Sequence, residues 1–184
     1  MTRIAIATVL FAASAMLGTG CTAAMETYRG ITGAQYGYEE IQPPAASYDV
    51  QALAAYTRFD LGQFTDDMGG RVPRDFFEYL PGEFQTALVK WKMPNDPRGK
   101  ALLIRGRVLH FESESLGGML VSPMVEVVAR VELVDKASGK VLGTANCIGR
   151  STARTTQTVR NMSEGMGRAI VSWIDSRYPK AGRE

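Results

Sequence analysis

A chain of 184 residues with 21 Lys and Arg against 19 Asp and Glu carries a formal charge of only +2. Its basic residues are dispersed, which argues against a nucleic-acid partner, because neutralising phosphates takes a basic patch. The length fits one domain plus a tether, and 45% hydrophobic residues is ordinary for a globular chain with a core.

The chain starts with a charge at Arg3. An uncharged run from Ile4 to Leu17 follows, then the small residues Gly18, Thr19 and Gly20, then Cys21. A positive start, a short apolar run and a small-residue cut site predict a secretion signal over residues 1–20. The run is shorter than the ~20 residues a spanning helix needs. The cysteine after the cut site resembles the lipobox of bacterial lipoproteins, with Gly18 where that pattern has Leu. The resemblance implies acylation of Cys21, and Thr22 after it is similar to the outer-membrane default. The alternative is an ordinary signal cut near Ala15 or Ala23, releasing a soluble periplasmic protein. With lipid on Cys21, Cys147 has no disulfide partner, and its apolar strand setting predicts a buried, inert thiol.

Residues 21–49 read as a flexible tether, with Gly30, Gly33, Gly37 and the Pro43-Pro44 pair among Tyr28, Tyr36 and Tyr38. The domain is expected over 50–178, with a tail at 179–184. Tyr56 to Phe64 predicts a first strand. Pro73 suits a helix start, and Phe76, Leu80, Phe84 and Leu88 make a helical stripe. Pro81-Gly82 within it predicts a kink or two short helices. Met93 to Gly99 is a loop.

Ala101 to Glu114 predicts a strand with Leu102, Ile104 and Val108 on one face and Arg105 and Arg107 on the other. Pro123 to Asp135 alternates more cleanly, with Val125, Val127, Ala129, Val131 and Leu133 against Glu126, Arg130 and Glu132. One buried and one wet face is the mark of an antiparallel sheet. Pairing these two strands sets Arg105 or Arg107 opposite Glu132. Asp135 to Lys140 is a hairpin turn. Val141 to Arg150 carries small residues on one face (Gly143, Ala145, Cys147, Gly149), so a helix fits close over it. Thr156 to Tyr178 predicts the last helix, with a stripe of Val159, Met162, Met166, Ile170 and Trp173. The order β-α-β-β-β-α predicts an α/β two-layer sandwich: a mostly antiparallel sheet covered on one face by two helices.

Three stretches carry a resemblance: Ala101-Leu-Leu-Ile-Arg-Gly-Arg-Val, then Val127-Val-Ala-Arg-Val-Glu-Leu-Val-Asp135, then Ser138-Gly139-Lys140-Val141-Leu142 with the final Gly-containing helix. Together they resemble a class of small bacterial envelope lipoproteins. That class is similar in pattern to the amino-terminal domain of TolB, the curli secretion channel lipoprotein and the lipoprotein activators of peptidoglycan synthases. The resemblance implies a hairpin ending in an Asp-x-x-[Ser/Thr]-Gly turn, and no catalytic residues or cofactor.

His110 is the only histidine. It shares a strand face with Glu112 and Glu114, but same-face neighbours stand ~6.6 Å apart, so one ion does not easily reach all three. No metal, cofactor or catalytic group is expected there. The adjacent acids Glu39-Glu40 and Asp66-Asp67 read as solvated loop pairs, and Gly165-Met-Gly167 as a close-packing device. Leu116-Gly117-Gly118-Met119-Leu120-Val121 is an apolar tip between two long strands, which either folds back over the core or, as exposed apolar surface, marks a contact.

These residues predict a non-catalytic lipoprotein, anchored through Cys21 in the outer membrane and facing the periplasm. Its partners are the membrane and an envelope protein met at Leu116–Val121 or a strand edge. The alternative is a homo-oligomeric subunit of an export or assembly complex. An envelope hydrolase ranks last.

Overall fold

Alternation decides the sheet. Along Val125–Asp135 every second side chain, from Val125 through Leu133, is buried, and the residues between are half exposed. A computed structural model describes residues 33–44, 52–112, 125–151 and 158–179, all within the compact unit Gly33–Glu184. Its elements are β1 (Ala34–Gln42), β2 (Arg58–Asp66), α1 (Arg74–Lys90), β3 (Ala101–Glu112), β4 (Val125–Asp135), β5 (Val141–Ser151) and α2 (Thr158–Ser176). They form one five-stranded sheet in the order β1-β5-β4-β3-β2. All pairings are antiparallel except β2 with β3, which α1 connects as a crossover. This is the expected two-layer α/β sandwich, with one strand more than expected.

Both helices lie on the face of Leu102, Ile104, Val127, Ala129, Val131 and Cys147. Helix α1 contributes Phe76, Leu80, Phe84 and Leu88, the stripe read from the sequence. Helix α2 contributes Met162, Met166, Ile170 and Trp173, all fully buried. Full burial of such a side chain is worth roughly 1.5–3 kcal/mol. The contact is close because glycine permits it. A methyl group on Gly149 of β5 would lie 2.3 Å from the Met162 carbonyl oxygen, and one on Gly165 would lie 2.3 Å from the Gln35 carbonyl oxygen. Gly167 faces the Glu83–Phe84 backbone of α1 in the same way.

Two sequence expectations are corrected. First, Ala34–Gln42 is not tether but the edge strand β1, hydrogen-bonded to β5 from Ala34↔Ser151 to Gln42↔Thr144. Its helix-side residues are Ala34, Tyr36, Tyr38 and Glu40. Only Ala34 among them is both apolar and buried, so the period-two signal is faint. A polar clamp holds β1 instead of an apolar stripe. Glu40 accepts hydrogen bonds from Trp173 Nε1 at 2.7 Å and Arg177 Nε at 3.0 Å, and forms an ion pair with the Arg177 guanidinium. Glu39-Glu40 is therefore a strand pair rather than a loop pair.

Second, α1 is one helix through Pro81 rather than two short ones. An interior proline costs about 3 kcal/mol. Burial of Phe76 and Leu80 before it, and of Phe84 and Leu88 after it, offsets that cost. Ser163 of α2 adds a link, its hydroxyl lying 3.2 Å from the Phe76 carbonyl oxygen. Cys21 and Leu116–Val121 lie outside the described residues.

Candidate functional site: the uncovered sheet face

Among the described residues, the face away from the helices is open and mostly polar, with Val128 and Ile148 between its charged rows. It presents Arg105 and Arg107 of β3, Glu126, Arg130 and Glu132 of β4, and Asn146 and Arg150 of β5, since these alternate with the buried set. Arg105 stands opposite Glu132 in register and their side chains meet at 2.7 Å, as the sequence predicts. Arg150 pairs in the same way with Glu126.

Two rows break this pattern of complementary charge, and in the first of them Glu112 of β3 stands opposite Glu126 of β4. In the second, Arg107 of β3 stands opposite Arg130 of β4, and like charges directly opposite are destabilising. Arg107 reaches sideways to Asp67 at 3.2 Å. Arg130 bonds the amide oxygen of Asn146 at 3.2 Å. Beside this row lies a shallow groove of about 370 Å³, lined by Gln63, Thr65, Leu103, Arg105, Arg107, Arg130 and Glu132. It offers guanidinium donors and an apolar floor.

His110 and Glu112 share this face, in register with Val128 and Glu126, and the remaining sequence candidates fall elsewhere. His110 Nε2 lies 3.9 Å from Glu112 Oε2, beyond hydrogen-bond reach, and both side chains are about half exposed. Among the described residues, no three His, Cys, Asp or Glu side chains are placed to hold a metal ion. Glu114 lies outside the described residues. Asp66 is occupied locally, accepting from Met68 N at 2.6 Å and Val72 N at 3.1 Å. Cys147 is fully buried under α2, and burial pushes its thiol up, away from the reactive thiolate. No helix among the described residues is long and apolar enough to cross a membrane.

A polar cluster at the opposite end of β4 was not anticipated. Asp135 accepts from Tyr56 Oη at 2.7 Å and pairs with Lys100 Nζ at 2.7 Å. It also caps its own hairpin through Ala137 N and Ser138 N, both at 3.0 Å. Gly139 completes that turn with φ of 72°. The Lys100 ammonium, then the Tyr56 hydroxyl, hold the Asp135 carboxyl well below the usual carboxylate range. Burial, then the Asp135 carboxylate, push the Tyr56 hydroxyl up, and Asp135 raises Lys100. Each group is fixed in the protonation state it already has at neutral pH. The cluster therefore pins the hairpin to the start of β2 and has no poised acid or base. The Asp-x-x-Ser-Gly turn was legible in the sequence, but its partners Tyr56 and Lys100 were not.

The domain is similar in fold to PelC. The PelC dodecamer from Paraburkholderia phytofirmans superposes with a TM-score of 0.50 at 11% identity, over 79% of this chain and 100% of that one. A point variant of the same protein in a second crystal form gives a TM-score of 0.47 at 12% identity, over 79% and 99%. A minor lipoprotein from Acinetobacter baumannii gives 0.44 at 18% identity, over 68% of this chain and 98% of that one. At these identities the likeness concerns the fold alone. No protein-family model matches the chain, and no curated protein matches it by sequence.

Proposed function

We propose that the chain is a non-catalytic envelope lipoprotein whose α/β domain is a protein-binding or assembly module. Acylated Cys21 holds it to the outer membrane, with the domain facing the periplasm. The observation that carries the reading is the uncovered sheet face. A wet surface crossed by paired arginines and carboxylates suits the polar surface of a protein partner. The leader and Cys21 supply the address. The Leu116–Val121 tip is a second contact in this proposal.

A second reading is a subunit of an oligomeric export or assembly complex. It is favoured by the fold shared with PelC, which was crystallised as a dodecamer. A hydrolase built on His110 ranks below both, and full function after His110→Ala removes it.

The anchor is tested by growing cells on a labelled fatty acid. The wild type is expected to incorporate the label and partition with membranes. Cys21→Ala is expected to lose both. A Cys21→Ala protein that still carries label refutes the anchor. Light scattering of the detergent-extracted full chain separates module from subunit: a defined multimer selects the subunit reading, a monomer the tethered module.

A further inference from the structure

We propose that the groove beside Arg105, Arg107 and Arg130 binds an extended acidic segment of a partner protein, with carboxylates at alternate positions. The inference rests on the reading of the uncovered face as a binding surface and names its partner's chemistry.

Spacing comes first. Arg105 and Arg107 are two residues apart on one strand, so their side chains leave the same face about 6.6 Å apart. An extended acid-x-acid segment repeats at that distance, so two carboxylates meet two guanidinium groups in step. Charge comes second. Arg107 and Arg130 are register partners, and the bonding partner of Arg130 is a neutral amide oxygen. A carboxylate set between them accepts from both and removes their repulsion. Thr65, in register with Arg107 on the next strand, extends the row with a hydroxyl.

Availability comes third. The bridges Arg105–Glu132 and Arg107–Asp67 join side chains that are each at least a third exposed. Such pairs contribute little, so an incoming carboxylate displaces Glu132 or Asp67 at small cost. A net charge of +2 with dispersed bases does not suit a phosphate backbone, whereas a short acidic segment needs only this row.

The test uses the full chain in detergent and a fluorescent peptide of alternating Glu and Thr, read by anisotropy. Binding is expected, weakening as salt is raised. Arg107→Gln and Arg130→Gln should each weaken it about tenfold, the loss of one charge-assisted contact. Arg74→Gln, on the far layer, should bind as the wild type does. Each groove variant should melt at or above the wild-type temperature, because one of two opposed charges is gone, so a loss of binding is not a loss of fold. The proposal is overturned if the peptide does not bind, if its Gln-for-Glu counterpart binds equally, or if the two groove variants bind it unchanged. A peptide that fails, while partner cross-links from Gln63 are lost in the Arg107→Gln, Arg130→Gln double variant, overturns the acidic chemistry and leaves the module reading standing. Failure of both overturns the two together.

Discussion

Gly149→Ala is expected to destabilise the domain by about 3 kcal/mol, the upper end for an overpacked core. The new methyl group would lie 2.3 Å from Met162 O and 2.7 Å from Met166 N, both backbone atoms of α2. A side chain can rotate away, but a buried helix backbone moves only by displacing Met162, Met166 and Ile170 together. Gly165→Ala meets the Gln35 carbonyl oxygen at the same 2.3 Å. Its cost should be smaller, since alanine restores about 1 kcal/mol of helix propensity. Gly82→Ala is the internal control. It sits in α1, nothing lies within 4 Å of its added methyl group, and it should stabilise by about 0.5–1 kcal/mol. Urea unfolding measures all three. A Gly149→Ala domain as stable as the wild type contradicts the close contact between α2 and β5.

Glu40→Ala is expected to cost about 2–3 kcal/mol, because it removes the acceptor shared by the Trp173 indole and the Arg177 guanidinium. Both side chains of the ion pair are less than a quarter exposed, so solvent screens it little. The hydrogen bond from Arg177 is the main cause that holds the Glu40 carboxyl below its ordinary value. A carboxyl depressed in the folded state contributes stability above its unfolded value near 4.3 and loses it as the pH falls. The stability gap between the wild type and Glu40→Gln should therefore be widest at neutral pH and close progressively below about pH 4. Asp135 is depressed in the same direction, by Lys100 first, so its contribution is lost in acid too. Denaturant titrations at several pH values read both effects. A gap that does not narrow in acid contradicts the ionised clamp.

The clamp also shows what was legible in the sequence. Strand β4 could be read because both its neighbours and the helices bury every second residue, leaving an uninterrupted run of Val, Ala and Leu. Strand β1 has one neighbour and uses Tyr36, Tyr38 and Glu40 on its inner side, so its alternation resembled a Gly- and Tyr-rich linker. Its anchor lies 133 residues away at Trp173, a distance no local pattern reports. The Arg105–Glu132 contact was anticipated because both residues lie on the wet faces of neighbouring strands. The opposition of Arg107 and Arg130 was not anticipated, because it needs the register to within one residue. The parallel pairing of β2 with β3 was hidden for a similar reason: it is made by a crossover through α1, and no turn residue announces it.

Photo-cross-linking in living cells tests whether the uncovered face is where the chain meets its partner. A photoreactive residue would be placed at Gln63 or Thr65, exposed on the uncovered side, or at Glu78 or Val89, exposed on the outer surface of α1. A discrete adduct is expected from Gln63 and Thr65, to one envelope protein or to a second copy of the chain, and none from the helix positions. Adducts confined to Glu78 and Val89, with the sheet face silent, would contradict it.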